Sequence, residues 1–237
     1  MQSSKKDGLP NMYQRAKDIN IYYFTGTGNS LAVARKIGNE LEGKLLSIPL
    51  EMKKETISIK GDLVGVVFPV YHKSLPLIIK KFIEKAQFSC GYLFSVLTYG
   101  DTPGLANKHL KKLLQKKSVG LNSGFGVQMP YNYISPSLKI KGFYDSFSLR
   151  QISKERQQKI IRKAEQIIGN IIVDVKNGKT GKYINTWDPM TRLADSLDLN
   201  ESMAKSMGLK IAGIAEPTEL SFIESRQLMD HGSCFSS

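Results

Sequence analysis

Residues 63–68, Leu-Val-Gly-Val-Val-Phe, run without a polar side chain between Asp62 and Pro69. A strand with one solvated face alternates apolar and polar positions, so an unbroken β-branched run of this length marks a strand covered on both faces. Residues 92–97, Tyr-Leu-Phe-Ser-Val-Leu, repeat the pattern, and residues 19–24, Ile-Asn-Ile-Tyr-Tyr-Phe, approach it. Doubly covered strands belong to parallel sheets, whose connections cross over through helices. The chain supplies those helices. A helix is predicted over 29–42, with Ala34, Ile37 and Leu41 inward and Gly43 ending it. Pro76 opens a second, burying Ile78, Ile79, Phe82 and Ile83. A basic amphipathic helix spans 105–117. Ser153 caps a long one on which Ile160, Ala164, Ile168, Ile171 and Val175 recur at helical spacing until Asn177-Gly178. Short strands are expected at 45–48 and within 119–129. The order predicts an α/β three-layer sandwich: a five-stranded parallel sheet, helices on both faces, right-handed crossovers.

A chain of 237 residues can bury one sizeable core and carry an appendage. Residues 1–17 are polar and read as a loose arm, and 18–178 as the sheet domain. Residues 179–237 form a C-terminal extension of weaker periodicity, with one helix-like stretch at 190–207 and Trp187-Asp188-Pro189 pinning it to the sheet domain. No apolar stretch approaches the ~18 residues of a membrane span, and Asp7 and Gly8 stand where a secretion signal needs its apolar region. Cys90 and Cys234 make neither a Cys-x-x-Cys pair nor a metal spacing, so no metal is expected and a reducing cytoplasm is the simplest location. The net charge of +13 has two readings. It reflects lysine-rich solvated helix faces, or a surface that steers acidic partners. No nucleic-acid motif accompanies the charge, which makes nucleic acid the weaker partner.

The stretch after the first strand carries chemistry. Thr25-Gly26-Thr27-Gly28-Asn29-Ser30 leads into the helical pattern at Leu31. The first amides of a helix lack internal partners and sit at the positive end of its dipole, which makes such a turn an anion site. Gly26 and Gly28 let the backbone close around a phosphate, and Thr25, Thr27, Asn29 and Ser30 can donate to its oxygens. A Walker A loop needs Gly-Lys-Ser/Thr, and a dinucleotide fingerprint needs a third glycine where Leu31 stands. With no Lys or Arg in the turn, the donor set suits a phosphate held at rest. A plain βα turn with good capping residues has the same composition, so both readings stand.

Ligands of open parallel sheets bind beyond the carboxyl ends of the strands. Two further strand-end loops therefore matter: Pro69, Val70, Tyr71, His72, Lys73 and Ser74, and then Thr98, Tyr99, Gly100, Asp101, Thr102, Pro103 and Gly104. Each holds a tyrosine a few residues past a buried strand. A flat aromatic ligand tethered at 25–30 can lie between them. His72 is a candidate proton donor or an exposed loop histidine, and Asp101 an acceptor or a turn residue. Cys90 reads as packing. His109 and His231 have no evident partner.

With these residues in view, the sequence resembles the flavodoxin family. Thr25 to Ser30 match its phosphate loop in a Gly-Asn-Ser variant. More narrowly, Tyr-Phe-Thr-Gly-Thr-Gly-Asn-Ser, Phe68-Pro69-Val70-Tyr71 and Met129-Pro130-Tyr131-Asn132-Tyr133 look like the flavodoxin half of bacterial flavodoxin–ferredoxin fusion proteins. The resemblance implies strand order 2-1-3-4-5 and FMN as cofactor, with phosphate on 25–30, the ring between the Tyr71 and Tyr99 loops, and the loop of Pro130 to Tyr133 nearby. It implies electron transfer with a separate, acidic redox partner, either ferredoxin-like or a reductase. An NAD(P)H-dependent FMN or quinone reductase, and a flavin-free basic binding scaffold, are the rival functions. Three departures matter. The ferredoxin module's clustered cysteines are missing, and Cys234 alone cannot hold a four-thiolate cluster. No glycine stands within Tyr71-His72-Lys73-Ser74, where flavodoxins often flip a peptide beside the flavin N5, so two-electron chemistry is expected to be favoured. Lys73 brings positive charge where flavodoxins are usually acidic, so a less reducing flavin is expected.

Overall fold

The computed structural model describes residues 12–71, 73–130 and 153–185. The 1–11 portion of the arm, His72, Tyr131, Asn132, Tyr133, Trp187, the 190–207 helix, His231 and Cys234 lie outside the described residues. Five strands form one parallel sheet: β1 (Ile19–Tyr23), β2 (Lys44–Ser47), β3 (Ile57–Pro69), β4 (Ala86–Tyr99) and β5 (Ser123–Gln128), in the order β2-β1-β3-β4-β5. The larger helices are α2 (Asn29–Glu40), α4 (Leu77–Lys85), α5 (Ala106–Gln115) and α6 (Lys154–Lys176), with single turns α1 (Met12–Arg15) and α3 (Ile48–Glu51). None of the described helices is long and apolar enough to cross a membrane.

The three expected buried runs form the centre of the sheet. In β3, Leu63 and Val67 face a layer with Val33, Ala34 and Ile37 of α2 and Ala164, Ile168 and Ile171 of α6. Val64, Val66 and Phe68 face the opposite layer with Ile79, Phe82 and Ile83 of α4 and Leu110 and Leu114 of α5. Alternate residues thus feed alternate layers, which is why the run carries no polar position. Each fully buried Phe or Ile here contributes roughly 1.5–3 kcal/mol. A doubly wound sheet in this order is the flavodoxin-like fold. Its winding reverses between β1 and β3.

β3 and β4 reach about twice as far as their apolar runs. Their lower halves pair from Ile57 with Ala86 to Gly61 with Cys90, then skip Asp62 and Gly91 before Leu63 meets Tyr92. At this double irregularity the pleat reverses: odd-numbered Ile57 and Ile59 share a layer with even-numbered Val64 and Val66. Gly61 supplies the required φ of 144°, and a Cβ there would sit 2.9 Å from the Asp18 carbonyl. The main-chain N–H groups of Asp62 and Leu63 both donate to that carbonyl. The Asp62 carboxylate accepts from the N–H groups of Lys17 and Asp18, which hold its pKa below the ordinary value.

Helix ends show two routes to one motif. α6 stops as expected: Gly178 adopts φ 63°, and Gly178 and Lys179 donate back to the Val175 and Asp174 carbonyls. α2 ends two residues before the predicted 42, and its left-handed residue is Glu42, φ 53°, rather than Gly43. Gly43 serves packing, since a Cβ would lie 2.8 Å from the Ile19 side chain. The strand expected at 45–48 gives way at Ile48 to α3, with Pro49 in its first turn.

Packing also extends past both ends of 18–178. Tyr13 and Ala16 lie against the α2/α6 layer, with the Lys176 ammonium 4.7 Å from the Tyr13 ring centroid. Residues 179–185 run along the outer edge of β5. Gly124 N–H donates to the Lys182 carbonyl and Ile184 N–H to the Gly124 carbonyl. The buried Asp174 carboxylate fastens this segment, accepting from Lys179 at 2.5 Å and Lys182 at 3.0 Å. The Lys179 hydrogen bond is the main reason its pKa lies below the ordinary value, against an opposing desolvation. A depressed carboxylate contributes stability above its unfolded value, about 3.9, and loses it as pH falls through the folded value. Hydrogen exchange at the Gly124 and Ile184 amides is therefore expected to quicken, relative to core amides, as pH drops below about 4. In Asp174→Asn it should be fast at neutral pH and indifferent to acid.

Candidate functional site

Three loops meet above the carboxyl ends of β1, β3 and β4, at the winding reversal. β1 passes through Phe24, whose N–H donates to the Val67 carbonyl, into the turn 25–28. Gly28 stands at the α2 N-cap with φ 91° and ψ −25°. Its N–H donates to Thr25 Oγ1 at 2.9 Å, so this threonine shapes the turn from inside. Gly26 and Thr27 are exposed, and among the described residues the Thr27 hydroxyl has no hydrogen-bond partner. No acidic residue occupies the first turn of α2. The open donors and the dipole thus face outward where an anion would sit.

Two of the proposed donors have other work in this structure. Ser30 is buried, and its Oγ lies 2.7 Å from Thr98 Oγ1, tying the base of the 25–30 turn to the end of β4. The Asn29 carboxamide donates to the Pro130 carbonyl, anchoring the start of the loop that follows β5.

The second loop is a tight turn: Tyr71 and Ser74 exchange main-chain hydrogen bonds at 3.2 and 2.9 Å. Lys73 lies within it at φ 60°, a conformation that costs a side-chain-bearing residue roughly 1–2 kcal/mol. The absence of glycine noted in the sequence is thus met by strain at Lys73. Three contacts hold the turn. Leu105 N–H donates to the Lys73 carbonyl. Gly104, φ 55°, packs so closely that a Cβ would fall 2.2 Å from that oxygen. Ser74 Oγ lies 2.7 Å from His109 Nδ1 on α5. Sequence reasoning left His109 without a role, and no local pattern announces a partner 35 residues away.

The two tyrosines diverge. Tyr71 turns toward β1, edge-on to Phe24 at 6.4 Å between centroids, and a Cβ on Gly26 would meet its hydroxyl at 2.3 Å. The Tyr71 ring is part-exposed, but desolvation raises its phenol pKa, so it remains a protonated donor beside the 25–30 turn at neutral pH. Tyr99 turns the other way, over Gly126 of β5 beside Ile184. The third loop is fixed from both sides: Val70 N–H donates to the Thr98 carbonyl, Met129 N–H to the Tyr99 carbonyl, and the Gln128 amide to the Gly100 carbonyl. Asp101 is exposed at its tip, and Pro69 and Val70 line the path from β3 to Tyr71. The turn 25–30, Tyr71, Lys73, Thr98 and Gly104 are thus brought together, while the Tyr99 ring stands apart.

A groove of about 710 Å3 opens at the opposite end of the strands, lined in part by Asp18, Asp62, Phe88, Cys90 and Asn122. Cys90 packs there against the α4/α5 layer, and burial pushes its thiol pKa up, away from a nucleophile's range. No cluster of metal-ligating side chains occurs among the described residues.

No family model matches this chain, and no curated protein matches it. Among solved structures, it is similar to a flavodoxin from the domain Archaea, at 16% identity over 65% of this chain and 98% of that one, TM-score 0.33. A flavodoxin from Streptococcus pneumoniae TIGR4 aligns at 12% identity over 64% and 98%, TM-score 0.36. The Trp repressor binding protein from Bacillus subtilis aligns at 12% identity over 64% and 94%, TM-score 0.38. The fold class stands on the strand order itself.

Proposed function

We propose that this chain binds FMN noncovalently and passes electrons through the exposed edge of the flavin ring to or from a separate acidic protein, either ferredoxin-like or a reductase. One convergence supports the reading. A glycine-formed anion turn and a tyrosine-bearing turn meet where the sheet reverses its winding, in contact through Tyr71 over Gly26, with the tyrosine-bearing turn held to the third loop by the Gly104–Lys73 approach. The donor set fits FMN chemically. The amides at the start of α2 and the Thr27 hydroxyl would hold a dianionic phosphate without a neighbouring cation in the turn. Gly26 lets the Tyr71 hydroxyl pack directly on the turn, at a place where a Cβ would collide with it at 2.3 Å.

The bound flavin would supply the redox chemistry. The chain's own residues bind, orient and tune. Thr25 and Gly28 fix the shape of the turn, and the Ser30–Thr98 contact keeps it in register with β4. Tyr71 offers an aromatic surface and a protonated hydroxyl on the side of the phosphate turn. Lys73 contributes positive charge at the rim.

Absorption spectra of the purified chain, before and after addition of FMN, test this. Bands of bound flavin are expected, with quenched FMN fluorescence. A colourless protein that also refuses FMN overturns the reading, and rapid bleaching by NADH or NADPH would replace the carrier with a reductase.

A further inference from the structure

α4 and α5 follow directly from the second and third site loops and pack against each other on one side of the sheet. Their apolar sides are spent on the core: Ile79, Phe82, Ile83, Leu110 and Leu114 are fully buried. What remains outside is lysine. Lys80, Lys81 and Lys85 on α4, with Lys108, Lys111 and Lys112 on α5, stand against Glu84 as the one acidic residue of the two helices. The opposite layer is mixed. There α6 carries Glu155, Glu165 and Asp174 among its basic residues, and Glu165 reaches Lys36 of α2 at 4.0 Å. The net charge is +5 over the 19 residues of α4 and α5 against +4 over the 35 residues of α2 and α6, so positive charge is denser along the helices that begin at the candidate site.

The chemistry of this face selects among anionic partners. It holds no arginine, the side chain that reads phosphates and bases through a planar fork. Among the described residues, the large apolar side chains exposed are Leu50, Tyr71, Ile161 and Val173, none of them on α4 or α5, so these helices offer a bilayer nothing to insert. Lysine ammonium groups on flexible stems suit diffuse, rapidly exchanging contact with carboxylates. We propose that the outer face of α4 and α5 is the docking surface for an acidic redox protein, which it steers onto the rim formed by Tyr71, Lys73 and Gly104. The proposal rests on the redox reading above for the partner's role, and on charge distribution for its location.

The test uses fluorescein-labelled poly-L-glutamate as probe and two variants of equal net charge. Lys81→Glu/Lys112→Glu alters the proposed face, and Lys159→Glu/Lys163→Glu alters exposed positions of α6. At low ionic strength the first pair is expected to weaken binding at least about tenfold and to flatten its salt dependence, the second by less than about threefold. Equal weakening by both pairs overturns the proposal. So does tighter binding of a 20-base-pair duplex or of phosphatidylglycerol vesicles than of the polypeptide, when lost in the first pair alone. The assay needs no flavin. A chain that binds FMN but shows no difference between the pairs loses only the docking face. A chain that refuses FMN but keeps the difference loses the redox function and retains an acidic-protein surface.

Discussion

Gly104→Ala is expected to lower folding stability by about 3 kcal/mol and to weaken FMN binding at least about tenfold. Two costs combine. The backbone at φ 55° disfavours any Cβ, and that Cβ would lie 2.2 Å from the Lys73 carbonyl oxygen and 2.5 Å from its Cα. Both atoms are backbone, so relief requires the Tyr71–Ser74 turn to move away, breaking the Leu105–Lys73 hydrogen bond. The turn then loses the position from which Tyr71 covers Gly26. Gly169→Ala is the control: it lies on the exposed side of α6 with nothing within 4 Å of its added methyl, and should stabilise by roughly 0.5–1 kcal/mol. Urea unfolding and FMN fluorescence quenching measure both effects. Wild-type affinity in a stably folded Gly104→Ala would remove the second loop from the site.

Lys73 allows charge and backbone to be separated at one position. A unit charge about 8 Å from the flavin, at an effective dielectric of about 20, is worth about 2 kcal/mol. For one electron this is on the order of 90 mV, with the positive charge favouring the reduced form. Lys73→Gln is therefore expected to lower the reduction potential by that amount and leave stability unchanged. Lys73→Gly should lower the potential equally and raise stability by about 0.5–1 kcal/mol, because glycine accepts φ 60° without strain. Redox titration and thermal unfolding read the two effects independently. Equal potentials in wild type and Lys73→Gln would show that the ammonium does not act on the ring.

What the sequence disclosed follows from period and composition. The runs at 63–68 and 92–97 and the helical spacing of α6 are collective signals, and they specified a parallel sheet whose strands lead into the loops 25–30, 69–74 and 98–104. The lower halves of β3 and β4 escaped because Gly61 and Asp62 reverse the pleat, so the alternation of Ile57 and Ile59 falls out of phase with the run above. The Ser30–Thr98 strut, the Ser74–His109 pair and the outward turn of Tyr99 depend on side chains far apart in sequence. Composition made the hydroxyls of 25–30 equivalent donors, whereas geometry gives Thr25 to the turn and Ser30 to the scaffold and leaves Thr27 exposed.

The strip of chain beside β5 sets where this protein can be shortened. A version ending at 178 would bare the N–H and carbonyl of Gly124 along an open strand border and strand the Asp174 carboxylate without either ammonium. Unsheathed borders of that kind recruit other molecules into fibrous or amorphous precipitate. The smallest autonomous piece therefore extends at least to Ile184, and trimming it to the last helical turn would leave a sticky one.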